Sequence, residues 1–246
     1  MHWSMVSSLF RREFNSYFAT PLALIFIVIF LMLSGAFTFY LGHFYERGQA
    51  DLEPFFAFHP WLYLILVPAI SMRLWAEERN SGSIELLMTL PVRNGEAVLA
   101  KFLAAWCFTG IALLLTFPMW VSVNYLGDPD NGVILAGYIG SWLLAGSYLA
   151  VGGCISACTK SQVIAFIIAV VVCLLFILSG FPMVLDLFSG WAPQFALDSV
   201  ASLSFWTHFE AIKKGVVDMR DLFFFVGFIA AWLIATATVI EIKKAD

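Results

Sequence analysis

Two cysteines spaced four residues apart, Cys154 and Cys158, have the type and spacing that could hold a metal. Residues at i and i+4 share one face of a helix, and thiolates are good ligands for Cu(I). Two thiols alone make an incomplete site, however. Both cysteines also continue a stripe of small residues, Gly146 and Ala150, of the kind that lets another helix approach closely. We therefore favour helix packing for this pair and predict no metal ligand.

The other residue types that carry chemistry lack the spacing that chemistry requires. The four histidines form no H-E-x-x-H motif, which a zinc protease needs for its ligands. A nucleotide-binding P-loop needs Gly-Lys followed by Ser or Thr, and none of the lysines in this chain follows a glycine. The sequence thus predicts that the chain is not itself an enzyme, has no catalytic residues and binds no cofactor.

The segment "WAEERNSGSIELLMTLP", residues 75–91, concentrates charge in a chain that has only 12% charged residues. Ser83 can accept hydrogen bonds from the free amides of a following helical turn, and Glu85 lies where the helix dipole favours a negative charge. Pro91 disfavours helical backbone at the residue before it, so the helix should end at Leu90. These signals predict a short helix over residues 83–90.

The predicted short helix carries an apolar face beside its charges, because Ile84, Leu87 and Met88 lie at helical spacing. Such a helix could dock into a groove of another protein. It could equally lie on the lipid headgroups beside the membrane. The residues alone leave both interpretations open.

The composition is typical of a membrane protein, with 61% hydrophobic residues and 25 phenylalanines and a mean hydropathy of +0.90. Six runs without Asp, Glu, Lys or Arg are each long enough to approach the roughly 20 residues that a membrane-spanning helix requires. These runs are residues 14–45, 54–72, 102–127, 131–159, 161–185 and 222–240. The chain should therefore be an all-α polytopic membrane protein with one domain, residues 1–246. The predicted transmembrane spans one to six are residues 22–41, 61–76, 97–125, 133–157, 162–181 and 221–241.

Two further segments are amphipathic and too short to cross a bilayer. Residues 1–20 predict an interfacial helix on the cytoplasmic side, with aromatic residues at helical spacing beside two arginines. Residues 199–214 predict a re-entrant or interfacial helix between spans five and six, since Pro and Gly interrupt the stretch around it. Its aromatic residues Phe205, Trp206 and Phe209 could sit at the membrane interface or form an outer gate of a transport path.

The positive charges predict the orientation. If the N-terminus is cytoplasmic, nine Lys and Arg residues fall in inside segments and four in outside segments. Inside segments carry the excess of positive charge in membrane proteins. We therefore expect both termini, and the 83–90 helix, on the cytoplasmic side.

Three sequence segments resemble one known family. They are "RREFNSYFATP" near the N-terminus, "RLWAEERNSGSIELLMTLPVRNGEAVLAKF" after span two and "SFWTHFEAIKKGVVDMRDLFFF" before span six. In this order they resemble the permease subunits of type-2 ABC transporters, in particular the gliding-motility-type and copper-maturation-type permeases. The resemblance covers nearly the whole chain, and the middle segment is its most specific part.

The resemblance implies that the helix at 83–90 is a coupling helix, which in this family sits in a cleft of a separate ATPase subunit. The residues implied to form that ATPase-coupling interface are Glu77, Glu78, Arg79, Gly82, Ser83, Glu85, Leu86, Leu87 and Pro91.

The family also implies partners. These are two copies of an ABC ATPase that bind the ATP and Mg²⁺, a second permease copy as a homodimer or related heterodimer, membrane lipid, and an extracytoplasmic or auxiliary membrane protein; nucleic acid is not expected. The location implied is the bacterial cytoplasmic (inner) membrane, and the function is ATP-driven export or another movement across that membrane.

Two alternatives remain open from the sequence. The complex could transmit force across the membrane without moving a substrate. Alternatively, the chain could be a secondary transporter or a membrane-embedded enzyme that needs no ATPase. Ion-coupled transport usually requires ionisable residues inside the membrane, and the six runs contain no Asp, Glu, Lys or Arg.

Overall fold

The computed structural model describes residues 3–83, 93–190 and 193–243. Within these ranges the chain is helical apart from short connections, and it contains no β-strand. This confirms the predicted all-α class. The predicted coupling helix falls almost entirely on residues 84–92, outside the described residues.

The helices are listed here in chain order: α1 (Trp3–Ala19), α2 (Pro21–Ala36) with a π-helical turn after it (Phe37–Leu41), α3 (Glu53–Ala57), α4 (His59–Ser71), α5 (Arg73–Ser81), α6 (Asn94–Leu114), α7 (Phe117–Leu126), α8 (Asn131–Cys158), α9 (Gln162–Leu178), α10 (Pro182–Ser189), α11 (Gln194–Ser202), α12 (Phe205–Lys213) and α13 (Met219–Ile242).

Four helical segments of the described chain are long and apolar enough to cross a membrane. They are Ala23–Leu41, Asn94–Leu126, Asn131–Cys158 and Met219–Ile242. They coincide with predicted spans one, three, four and six. The structure therefore supports an integral membrane protein with four such segments. It does not confirm the predicted count of six spans.

Predicted spans two and five are shorter in the structure than in the prediction. Span two is divided at Met72 into α4, which has 13 residues, and the more polar α5. Span five is α9, with 17 residues, or about 26 Å at 1.5 Å per residue. Both fall short of the roughly 30 Å of a hydrocarbon core.

The core is organised around α8, which is buried along most of its length and contacts α4, α5, α6, α9, α12 and α13. Small residues make this possible. A Cβ added at Gly137 would lie 2.4 Å from the ring of Phe56, and one added at Gly152 would lie 1.9 Å from Oγ of Ser71. Side chains larger than hydrogen would push the neighbouring helices away at these positions.

A repeated W-x-x-x-G pattern joins α6 to α8. Trp106 and Gly110 lie on α6, and Trp142 and Gly146 lie on α8. The two indole rings stack at 4.1 Å, and each Nε1–H donates to the backbone carbonyl of the other tryptophan. Each ring also packs over the glycine of the opposite helix. The pattern thus forms a reciprocal contact that fixes the register of α6 against α8.

The single helix predicted over 199–214 is two helices in the structure, α11 and α12, with a break at Leu203 and Ser204. The reason is local. The Ser204 Oγ accepts a hydrogen bond from the amide of Trp206 at 3.1 Å, which starts a new helix, and donates to the carbonyl of Ile177 at 3.2 Å. Gly215 then ends α12 in the left-handed region, with φ of 84°.

The charged segments gather at two opposite ends of the bundle. At one end, which we call the α5 end, α5 bonds to the C-terminal part of α8 and to Lys101 near the start of α6. At the other, the α12 end, Lys213 pairs with Glu210, and Asp218 caps α13 through the amide of Arg220. The segments assigned to the inside by charge counting lie at the α5 end.

Candidate functional site

The position of α5 is set by one serine of the central helix. Ser156 Oγ accepts hydrogen bonds from the amides of Trp75 and Ala76, at 3.1 and 2.9 Å, and donates to the carbonyl of Met72 at 2.8 Å. The first amides of a helix have no partner within that helix. Ser156 therefore bonds the backbone groups left free at the α4–α5 break and fastens α5 to α8.

The far end of α5 has a second attachment to α8. Arg79 Nη1 donates to the carbonyl of Ala157 at 2.5 Å, at the end of α8, where carbonyls lack partners within the helix. Gly82 follows with φ of 74°, a left-handed conformation that glycine adopts without strain. The chain therefore turns sharply at Gly82, directly before the segment predicted to be the coupling helix.

A group of three charges, with a buried lysine between two partly buried glutamates, joins α5 to two other helices. Lys101 Nζ of α6 lies 3.0 Å from Oε2 of Glu13 in α1 and 2.8 Å from Oε1 of Glu78 in α5. The Lys101 side chain is 4% exposed, and its Nζ also lies 5.4 Å from the centroid of the Trp75 ring. Breaking a buried pair leaves an uncompensated charge, so these contacts hold the three helices in one arrangement.

The charges of this group change the pKa of Glu13. Burial raises the pKa of Glu13, but the charges and hydrogen bonds of Lys101 and Arg12 outweigh it, so the pKa is lowered overall. Arg12 contributes through Nη2, 2.7 Å from Oε1 of Glu13. Glu13 is therefore held as a carboxylate at neutral pH.

The predicted interface residues divide into two kinds where the structure describes them. Glu78 and Arg79 are partly buried and bond to their own chain, as above. Glu77 and Gly82 are exposed, and Ser83 is partly exposed. Glu77 lies 3.4 Å from Nε of Arg73, an exposed pair of little energetic weight. Glu77, Gly82 and Ser83 thus remain accessible at the surface of the chain, whereas Glu78 and Arg79 attach α5 to other helices. A role of the three accessible residues in binding a partner stays a prediction.

Four of the predicted interface residues, Glu85, Leu86, Leu87 and Pro91, lie outside the described residues. Their role stays a prediction.

Sequence reasoning missed Lys101, Glu13 and Ser156 as members of this site. A signal existed for Lys101, because it is an isolated charge inside the predicted span 97–125, and such a residue needs a partner. Its partner Glu13 is 88 positions away in the sequence. Ser156 had no comparable signal, since a serine in an apolar helix usually bonds within its own turn.

The three predicted gate residues differ in how far they are exposed. Phe205 and Phe209 are fully buried within the chain, and Phe205 packs on Tyr148 and Phe176 with ring centroids 5.2 Å apart in both cases. Only Trp206 is partly exposed, in a cluster with Trp61 and Phe181. A gating role, which stays a prediction, therefore rests on Trp206.

The two cysteines first considered lie at the C-terminal part of α8. Cys154 is buried and Cys158 is exposed. Across residues 3–83, 93–190 and 193–243, no three His, Cys, Asp or Glu side chains come together in a way that could hold a metal ion.

Long apolar helices with a charged, firmly attached element at one end define a polytopic α-helical membrane protein. The family model of the ABC-2 family transporter proteins matches residues 8–244, and the chain belongs to this family. The match confirms the resemblance to type-2 ABC transporter permeases. Permeases of this family are not themselves enzymes and normally work with an ATPase partner.

A segment of the chain is similar to one curated protein, "Heme exporter protein B" of Rhodobacter capsulatus, with 34% identity over 70 residues. This similarity covers 28% of the present chain and 32% of that relative.

Proposed function

We propose that this chain is the membrane-spanning permease subunit of an ATP-driven ABC-2 type exporter. A separate ATPase binds and hydrolyses ATP with Mg²⁺, and this chain converts its motion into movement of a substrate across the membrane. The observation that carries the proposal is the attachment of α5 to three other helices, directly before the predicted coupling helix.

The attachments of α5 give a route for the motion. A push on residues 83–90 reaches α5 through the turn at Gly82. From α5 it passes to α8 through Ser156 and Arg79, and to α6 and α1 through the pairs of Lys101 with Glu78 and Glu13. Since α8 contacts most of the bundle, a shift of α5 moves the membrane-embedded part as a unit.

The proposed assembly has two copies of this permease, or this permease with a related one, and two ATPase subunits. Both termini and the α5 end face the cytoplasm, and the membrane is the bacterial cytoplasmic membrane. All six predicted spans cross it; α4 and α9 are completed by the segments next to them. An extracytoplasmic or auxiliary membrane protein can join this assembly.

The experiment that tests the proposal is co-purification from native membranes. Glu77→Lys reverses a charge on the exposed face of α5 and disturbs only an exposed pair, so the chain should still fold. We expect it to lose most of the P-loop ATPase that co-purifies with the unmodified chain.

The matched control is Glu46→Lys, whose glutamate is 79% exposed in the connection between α2 and α3. This variant should retain the ATPase. Purification of the unmodified chain without any ATPase, or equal retention by both variants, would contradict the proposal.

A further inference from the structure

A cavity of about 580 Å³ lies between the α1–α2 elbow and the α4–α5 break; it shares Glu77, Glu78 and Ser83 with the predicted coupling interface and extends beyond them towards α2 and α4. Pockets for small molecules commonly have volumes of about 300 to 1,000 Å³. One wall is formed by Ile25 and Ile29 of α2, which remain 52% and 40% exposed. The cavity is therefore open at the side of the first membrane-length segment.

The lining changes character along the cavity. Its part beside α2 and α4 is apolar, with Phe26, Ile29, Leu66 and Ile70. Its part beside α1 and α5 carries charged and hydroxyl groups. A molecule that fits both parts must have an apolar chain that lies beside the membrane-spanning segments and a polar head at the α5 end.

The charged side chains that line the polar part of the cavity determine which ligand head group can bind there. Five charged side chains line the polar part, and three of them are carboxylates: Glu13, Glu77 and Glu78. The two cations are already paired, Lys101 with Glu13 and Glu78, and Arg73 with Glu77. Because Lys101 is 4% exposed between two carboxylates, it offers no free site to an anion.

One oxygen of this cluster lacks a donor. Oε2 of Glu78 is buried and has no hydrogen-bond partner within the part of the chain that the structure describes. A buried acceptor without a partner is unfavourable by about 1 to 3 kcal/mol, more when it is charged. Oε2 itself has almost no accessible surface, so a ligand head in the cavity would stabilise this carboxylate through positive charge, and would bond to Oε2 only after a rotation of the Glu78 side chain.

We propose that this cavity binds an amphiphile with an alkyl chain and a primary ammonium head. The head contacts Glu78, and the chain lies against Ile29 and Ile70. The inference concerns binding by this chain alone and does not require the ATPase, so it can fail while the proposed function holds.

The test is photo-crosslinking of the full-length chain, in the complex in which it purifies, in phosphatidylcholine nanodiscs. The probe is a dodecylamine that carries a diazirine in its chain, and the matched probe is the dodecyl sulfate with the same diazirine. Labelled peptides are located by mass spectrometry. We expect the amine to label peptides of α1, α2 and α4, and the sulfate to label them about tenfold less, as one charged hydrogen bond would give.

Two variants separate the cavity from the surrounding lipid. Ile29→Trp fills the apolar part, whereas Val28→Trp places the same ring on a neighbouring exposed residue of α2 that does not line the cavity. Amine labelling should fall in the first variant and persist in the second. Glu78→Gln should weaken amine labelling; because it also removes one of the two carboxylates beside Lys101, sulfate labelling should not fall with it.

Equal labelling by both probes, or equal labelling of both tryptophan variants, would overturn the proposal, since it would mean contact with bulk lipid. Disulfide formation between two copies carrying Ile29→Cys, with no amine labelling, would overturn it in favour of a second chain at this surface. Competition by added phosphatidylethanolamine would support a lipid as the occupant. Competition by unmodified dodecylamine alone would support a free amphiphile.

Discussion

Lys101 shows how a single charge can order a membrane protein. One ammonium lies between two carboxylates from different helices, Glu13 and Glu78, with little access to solvent. Burial of the Lys101 ammonium is offset only while both carboxylates remain beside it, because removal of a partner from a buried ion pair leaves an uncompensated charge. The group therefore favours one arrangement of α1, α5 and α6.

The lowered pKa of Glu13 gives a prediction about pH. A carboxylate with a lowered pKa in the folded state stabilises the fold above its ordinary pKa of 4.5, and this contribution is lost as the pH falls through the lowered value. Glu13→Gln should lower the Tm near pH 7 by about 2 to 8 °C, equivalent to about 1 to 2 kcal/mol. The difference from the unmodified chain should shrink below pH 4.5.

The measurement is thermal unfolding of both proteins across a pH series in the same detergent. Glu241→Gln, at an exposed position of α13, controls for the loss of one carboxylate. A Tm difference for Glu13→Gln that stays constant with pH would show that the charge of Glu13 has no part in holding α1.

Contacts at the residue scale can be predicted from the sequence where the signal is local. Asp218 caps α13, and Gly215 ends α12, because caps and left-handed turns depend on neighbouring residues only. The partners of Lys101 and the hydrogen bonds of Ser156 were not predictable in this way. The Lys101–Glu13 pair and the hydrogen bonds of Ser156 join residues 80 to 88 positions apart, and only the packing of helices brings them together.

At the scale of elements, α5 is the piece on which the proposed mechanism depends. It is short and polar, and its hydrogen bonds to α8 at both ends fix its position. The sequence predicted span two as one helix over 61–76, since the apolar run continues past Pro68. Pro68 is accommodated within α4, and the break comes four residues later at Met72, where Ser156 bonds the freed backbone groups.

Ser156→Ala should loosen α5. The substitution leaves the amides of Trp75 and Ala76 without their acceptor, at a cost of about 2 to 3 kcal/mol. We expect faster hydrogen exchange in peptides that cover α5, measured by mass spectrometry on the purified chain.

Ser147→Ala is the matched control for this variant. Ser147 is also a buried serine of α8, but its hydroxyl bonds only to Leu143 of its own helix, so exchange in α5 should not change. If α5 exchanges equally slowly in both variants, Ser156 does not hold it.

At the scale of the whole molecule, charged segments lie at both ends of the bundle. The segments with the excess of positive charge lie at the α5 end, and the remaining charged segments, with their ion pairs, lie at the α12 end. The sequence predicted this division from charge and hydropathy alone, because both reflect the membrane rather than the details of packing. The number of spans was less predictable. Runs of similar hydropathy became helices of 13 to 28 residues, depending on where prolines and polar contacts interrupt them.

The central claim is that the α5 end receives a separate ATPase on the cytoplasmic side. The most direct measurement places a photoreactive amino acid at Asn80, an exposed residue of α5, in cells with native membranes. The account predicts a crosslink to a P-loop ATPase from this position, and none from Tyr125, which is 90% exposed near the end of α7. A crosslink to the ATPase from position 125 instead, or labelling of Asn80→Cys by an impermeant reagent added outside the cell, would contradict it.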